Sequence, residues 1–579
     1  MSSRPSSESP SHTVAPSNEM HGSSEEKNLG ATRASEDTEK AGEAEVHYVH
    51  GVELALLTLA LMLAVLLVAL DNTIIATAIP KITDQFDSLA DVGWYGSAYL
   101  VATAATQLQF GKFYSILPIK WVCLLVHPTS WTFAHYCKVF ISAIAVFEIG
   151  SAVCGSAPSS GALIGGRAIA GLGSSGIFSG AFIIVAHIVP LAKRPIFNGL
   201  FGAIYGVSSV VGPLLGGAFT DKVSWRWCFY INLPIGGVCL LFLVFFFRMP
   251  ESIQARSAAN AAEVSAWERF KQFDPLGIVT FMPAIVCLLL ALQWGGSKYA
   301  WSDGRIIALF VVFGVLIFAF VGIQIWGQDG ATVPPRIIRQ RTVSCSAFFA
   351  FCQGSSFFLF VYYLAIWFQA IKGTTAIKSG IDTIPLVFGT VIGNVLCGFG
   401  TSMTGYFAPF MFVCTILMSV GAGLMTTFTT TTGHAHWLGY QVILGLGVGF
   451  GMQQGITAVQ AILPAKDVSV GTAIVIFTQN LGGALFVSVG QNLFQNKLLA
   501  GIARNVPQVD PLSVLSAGAT SLKSVVPAQY FGAVIVEYNA ALMAAFQVGL
   551  IMAALSLLGA AGVEWVSIKK SPAERSESA

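Results

Sequence analysis

About fourteen apolar runs, each close to the ~20 residues with which an α-helix crosses the hydrocarbon of a bilayer, fill most of this 579-residue chain. They fall at 51–78, 92–113, 139–157, 161–188, 196–220, 228–248, 273–294, 304–326, 343–370, 380–400, 405–427, 437–459, 469–492 and 539–564. Only 10% of the residues are charged and 54% are hydrophobic, whereas a soluble domain carries about 25% charged residues. With mean hydropathy at +0.71, the solvent for this chain is lipid. The expectation is an all-α polytopic membrane protein. An even number of spans returns both termini to the same side.

Residues 1–47 differ in kind. They are rich in Ser, Glu and Lys and nearly devoid of large apolar residues, so they cannot bury a core and read as a disordered tail. No apolar h-region precedes the first run, which is expected to serve as both insertion signal and first span. Loops after even-numbered spans carry Lys112, Lys120, Lys193, Arg194, Arg248, Arg256, Arg269, Lys271, Arg336, Arg339, Arg341 and Lys466, and the tail at 565–579 adds Lys569 and Lys570. Loops on the other face are poorer in basic residues, so the positive-inside rule places both termini in the cytosol. A polar stretch at 249–272 divides the first six spans (48–248) from the rest, and 493–538 reads as a long external loop. No Asn-x-Ser/Thr sequon occurs.

A charge at the bilayer centre costs about 2.5–3.5 kcal/mol on insertion scales, so each ionisable residue inside a span is a candidate for function. Asp71 lies deep in the first span, Glu148 in the third and Arg167 early in the fourth. Each has a structural reading beside the functional one: an ion pair, or a carboxylate near an interface. Glu564 reads as a side chain reaching the interface. Later spans are polar without being charged. Gln369, Gln453, Gln454, Gln479 and Asn480 lie among apolar residues that include Trp367 and Phe477, and Asn72 follows Asp71 in the first span. Amides beside aromatics suit a cavity that orients a large apolar solute; the alternative is hydrogen bonding between helices.

The fifth span contains Gly206, Gly212, Pro213, Gly216 and Gly217. Each Gly inside a helix costs about 1 kcal/mol and Pro about 3 kcal/mol, so helix propensity cannot explain them. Glycines four apart strip one face for close packing, and the Pro interrupts a backbone bond and bends the helix. The segment reads as a pivot.

Other chemistries find no support. No Gly-Lys-Ser/Thr nucleotide loop or HExxH pair is present, and the Gly-x-Gly patterns lie within spans. Ten cysteines are scattered without a CxxC pair, which argues against a metal site or disulfide framework. A net charge of +2 without a basic cluster gives no reason to expect nucleic acid. No catalytic residues, metal or cofactor are expected.

With those residues in view, the chain resembles the major facilitator superfamily, in particular the fungal fourteen-span drug:proton antiporters. The residues that carry the resemblance are Leu70-Asp71-Asn72-Thr73-Ile74-Ile75 in the first span, Arg167 through Gly173 in the fourth, Gly206 through Gly217 in the fifth, and Trp225-Arg226-Trp227 with Asn232-Leu233-Pro234 before the sixth. Ile366-Trp367-Phe368-Gln369 adds to it. The resemblance implies two six-helix bundles, with two additional helices central in the chain at 273–326 and the second bundle at 327–564. It also implies proton-driven export of hydrophobic drugs, toxins or secondary metabolites from a monomer in the plasma membrane, with a vacuolar or vesicular membrane as the alternative. Asp71, Arg167 and Glu148 then become coupling residues and the Gly/Pro segment a hinge. The proton gradient, rather than a cofactor, would supply the energy.

Two departures stand out. Gly111-Lys112-Phe113-Tyr114-Ser115 has Ser where the family's inner-gate loop usually has Asp. Residues 123–139 interrupt the expected start of the third span. Codons for Val122 or Val139 can begin with GT and that for Lys138 can end with AG, so a retained short intron is the expectation and a natural loop extension the alternative. Siderophore or nutrient transport, and a non-transporting sensor or scaffold, are the competing functional readings.

Overall fold

The computed structural model describes residues 51–87, 91–116, 135–246, 272–296, 299–517 and 522–569. The expectations for the tail at 1–47 and for most of the linker at 249–272 lie outside these residues. Of the interruption at 123–139, only the last residues are described, as the first turn of a helix.

Fourteen long helices run through the described residues. The first six are α1 (Gly51–Phe86), α2 (Val92–Ile116), α3 (His135–Ser156), α4 (Ser160–Ile188), α5 (Arg194–Lys222) and α6 (Asn232–Phe246). Two more follow, α7 (Pro275–Trp294) and α8 (Gly304–Gly327). The last six are α9 (Arg341–Ala370), α10 (Ile384–Thr404), α11 (Ala408–Met425), α12 (His434–Gly451), α13 (Val468–Asn505) and α14 (Ala528–Gly562). Thirteen spans among the described residues are long and apolar enough to cross a membrane. Helix α2 is the fourteenth; Gln107, Gln109 and Lys112 lower its hydropathy, but these three are buried. The chain is a multi-pass membrane protein.

Packing of α2 against α4 shows how a polar helix fits such a bundle. The two run parallel. Thr103 reaches the Gly171 carbonyl at 3.0 Å and Ser174 at 2.9 Å, and Thr106 meets Ser175 at 2.7 Å. Further along, the Tyr114 hydroxyl donates to the Gly176 carbonyl at 2.9 Å. Glycines and serines on α4 admit the partner backbone, and the hydroxyls hold it with interhelical bonds worth about 0.6–2 kcal/mol each.

Among the described residues, the two halves share a hydrophobic core at the end where α1 begins and α14 finishes. There Phe110, Tyr114, Phe182 and Phe201 of the first half pack in one cluster with Val343, Ile456, Val459, Val470 and Ile474 of the second. At the far end the first half closes on itself around Leu70, Ile74, Tyr95, Trp225 and Phe229. Helices α7 and α8, central in the chain, are peripheral in space. Helix α7 touches the second half through Phe281, whose ring lies 5.3 Å from that of Phe477. Helix α8 leaves Val311, Val315, Phe318 and Trp326 exposed, as a lipid-facing helix should.

The external loop expected at 493–538 is mostly helical. Helix α13 continues to Asn505 and α14 begins at Ala528, with Pro511–Ala517 and Leu522–Val525 between them. Phe494, Leu498 and Ile502, spaced four apart, are buried, and Phe494 meets Tyr538 at 5.1 Å between ring centres. Hydropathy ends this span at the membrane boundary because polar residues follow on the other face. An amphipathic stripe continues the helix as long as a neighbouring helix covers it.

Candidate functional site

Asp71 and Arg167 are both fully buried and form an ion pair, with Arg167 Nη1 2.5 Å from Asp71 Oδ2. Arg167 Nε donates to the Tyr95 carbonyl at 2.9 Å, and the guanidinium lies over the Tyr99 ring, 4.4 Å from its centre. The second carboxylate oxygen of Asp71 accepts from Asn232 Nδ2 at 3.1 Å. Four helices therefore converge: α1 supplies the carboxylate, α4 the guanidinium, α2 the carbonyl and ring, and α6 the amide. Sequence reading singled out Asp71 and Arg167 separately, and the fold brings them together. It quoted Asn232 only within a motif. The available signal was a lone amide between apolar residues and just ahead of Pro234.

Glu148 lies on α3 beside this site. Both of its carboxyl oxygens are buried without a hydrogen-bond partner. Its carboxyl occupies the space beside Gly236 of α6, where a Cβ would collide with it.

The glycines of α5 divide between two neighbours. Gly212 and Gly216 face α1, where an added Cβ would strike Thr73 at Gly212 and Thr77 and the Ile74 carbonyl at Gly216. Thr73 bonds across this contact to the Ser208 carbonyl at 3.0 Å. Gly206 faces Val391 of α10, and Gly202 faces Asn394 of the same helix. Pro213 sits inside the helix and lacks the N–H that would bond the Ser209 carbonyl. Gly217 faces open space. Helix α5 thus touches its own half through one set of glycines and the opposite half through another.

The amides expected to line a cavity are dispersed. Gln453 and Gln454 lie where α12 breaks before the short helix Gln454–Ile462, and Gln454 Nε2 reaches Cys397 Sγ at 2.9 Å. Gln479 donates to Gln353 at 2.8 Å and to the Met452 carbonyl at 3.4 Å, next to that break. Phe477 is buried close by on α13, and Asn480 is half-buried. Trp367 is elsewhere, in the core near the far end, donating to Asn539 at 2.8 Å and packed on Phe428. Gln369 is half-buried two residues beyond it. Asn72 donates to the Tyr205 hydroxyl at 3.1 Å, between α1 and α5. No group of three or more His, Cys, Asp or Glu suited to a metal occurs among the described residues.

At the shared-core end, the segment with Ser115 is the last turn of α2 and packs against the second half. Gly111 packs against Ser469 and Ala473 of α13, and Lys112 Nζ donates to the Ala331 carbonyl at 2.7 Å. Ser115 donates to the Lys112 carbonyl at 2.8 Å. Arg336 pairs with both oxygens of Asp467, at 2.5 and 2.7 Å, and also with Asp329. Its hydrogen bonds to these two carboxylates push the already high Arg336 pKa further up.

Comparison with known proteins gives a consistent picture. A family model described as Major Facilitator Superfamily matches residues 61–487. An MFS-type efflux pump of Arthroderma benhamiae is 53% identical over 541 residues, covering 93% of this chain and 96% of that protein. The efflux pump aflT of Aspergillus parasiticus is 50% identical over 533 residues, covering 92% and 99%. Among solved structures, the proton:xylose symporter XylE aligns with a TM-score of 0.51 at 14% identity over 86% of this chain and 94% of its own; the likeness at that identity is one of fold.

Proposed function

The chain belongs to the Major Facilitator Superfamily, and from that premise we propose that it exports hydrophobic small molecules, such as toxins or other secondary metabolites, in exchange for protons. The observation that carries the proposal is the buried Asp71–Arg167 pair. Replacing such a pair with apolar residues is often neutral or stabilising, so its presence favours a working role. The names of the similar fungal efflux pumps support the outward direction.

The proposed cycle follows from the geometry. The basic residues at the shared-core end favour a cytosolic position for that end and for both termini, with the plasma membrane as the membrane of the proposed cycle. The halves are joined there and have separate cores at the far end, the arrangement of a carrier with its inner gate shut. A proton arriving from outside neutralises Asp71 and removes its attraction for Arg167, with Glu148 as the second carboxyl at hand. A ligand shifts a conformational equilibrium only through its differential affinity for the two states. Loss of this charge contact on protonation would supply the difference. The halves then rock about α5, sliding where Gly202 and Gly206 meet α10. The amides around the break after α12, with Phe477, would orient the solute, and its loading from the cytosol would accompany release of the proton. The monomer suffices for every step.

Purified full-length protein in liposomes with an imposed pH gradient tests this, using rhodamine 6G and a panel of fungal polyketides as probes. The expected result is accumulation that disappears when a protonophore collapses the gradient. Transport indifferent to the gradient would remove the proton from the cycle, and none for any probe would count against export.

A further inference from the structure

Asn232 opens α6 and is fully buried. Both hydrogens of its amide are committed, because Nδ2 donates to Asp71 Oδ1 and to Ser151 Oγ, each at 3.1 Å. Its own Oδ1 is buried without a partner. One turn further along α6 is Gly236, whose missing side chain leaves the space filled by the Glu148 carboxyl. Glu148 and Ser151 are themselves one turn apart on α3, positions that share a helix face. One face of α6 therefore meets both acidic residues, touching Asp71 directly and making room for Glu148.

We propose that Asn232 is a positioning residue for proton coupling, fixing the Asp71 carboxyl against Arg167 and tying it through Ser151 to the helix that carries Glu148. The inference rests on the coupling role proposed for Asp71. With Arg167 on Oδ2 and Asn232 on Oδ1, both oxygens of the carboxylate are held. An amide suits this place because it both donates and accepts. As drawn, Nδ2 serves the charged carboxylate. Turned over, it presents the free Oδ1 and accepts from the protonated acid. No aliphatic side chain of the same size can do either, and a carboxylate would add a like charge. The other titratable groups facing Asp71 are Arg167 on α4, Tyr99 on α2, Glu148 and Cys154 on α3, and Cys228 in the short turn before α6; Tyr205 of α5 is bonded to the adjacent Asn72.

Infrared difference spectra of the full chain in lipid vesicles, acid minus alkaline, provide the test. The carboxylic C=O band that disappears in Asp71→Asn belongs to Asp71. In Asn232→Leu that band is expected to move to higher frequency, because the acid loses a hydrogen bond, while a merely structural role would leave it in place. Asn232→Ser, too short to reach Asp71, is the second variant should the first fail to insert, and the same shift is expected. An unmoved band in either folded variant overturns the proposal. If Asp71→Asn removes no acid band at any pH, the coupling role of Asp71 fails instead. The carboxylate stretches of Asp71 then decide the positioning role: altered in Asn232→Leu it stands, unaltered it falls.

Discussion

The two halves handle their buried polar groups by different chemistry. In the first, Asp71 and Arg167 bring full charges into the bundle and pair with each other, with Asn232 bonded to the carboxylate and a backbone carbonyl to the guanidinium. In the second, Gln353, Gln454 and Gln479 are neutral and bond to other neutral groups around the break after α12. A charge pair changes its energy greatly when a proton arrives, whereas an amide network barely responds to pH. In the proposed cycle, energy coupling belongs to the first half and solute recognition to the second, with α5 between them.

The largest expected effect comes from breaking the pair on one side. Asp71→Asn leaves the Arg167 charge without its partner, at a cost of about 3–5 kcal/mol, so both thermal stability in detergent and gradient-driven export should fall. Adding Arg167→Leu should recover much of the stability and none of the coupling. If the double variant still exports in proportion to the gradient, the first half does not house the coupling site.

A smaller effect is expected at the seam. Gly212→Val places bulk against Thr73 and should cost about 1–3 kcal/mol through overpacking, with slower export at normal insertion. Gly217→Val points into open space and should leave the rate unchanged. Equal slowing by both would mean that contact with α1 is not what the cycle uses. The smallest effect belongs to the second half. Gln479→Leu strands the Gln353 amide at about 1 kcal/mol and should raise the apparent KM for solute while the pH dependence of export stays as it was. A changed pH dependence would blur the division between the halves.

The sequence made some of this site legible and hid the rest for identifiable reasons. Charges in a span announce themselves against lipid, so Asp71 and Arg167 could be picked out singly. Asn232 could not, because an amide near the end of an apolar run is unremarkable until the helices around it are docked. The Gly/Pro segment of α5 was visible as a contact surface. Spacing alone could not tell that Gly212 and Gly216 serve α1 while Gly202 and Gly206 serve α10. Trp367 and the amides were grouped by composition, but helices of opposite direction carry similar residues to opposite ends of the bundle. The helical extension through 505 was hidden because hydropathy marks where lipid stops, not where packing stops.

By itself, the sequence determined the solvent, the helical form of the crossings and which few residues are too costly to be in lipid without a reason. These follow from free energies of transfer that each segment meets on its own. Only the tertiary structure decided that Asp71 and Arg167, 96 positions apart, are partners, that Asn232 completes their site, and that the two halves close on one another at one end. Those outcomes depend on how α1, α2, α3, α4 and α6 dock. Helix association within lipid turns on close packing and hydrogen bonds rather than on hydropathy.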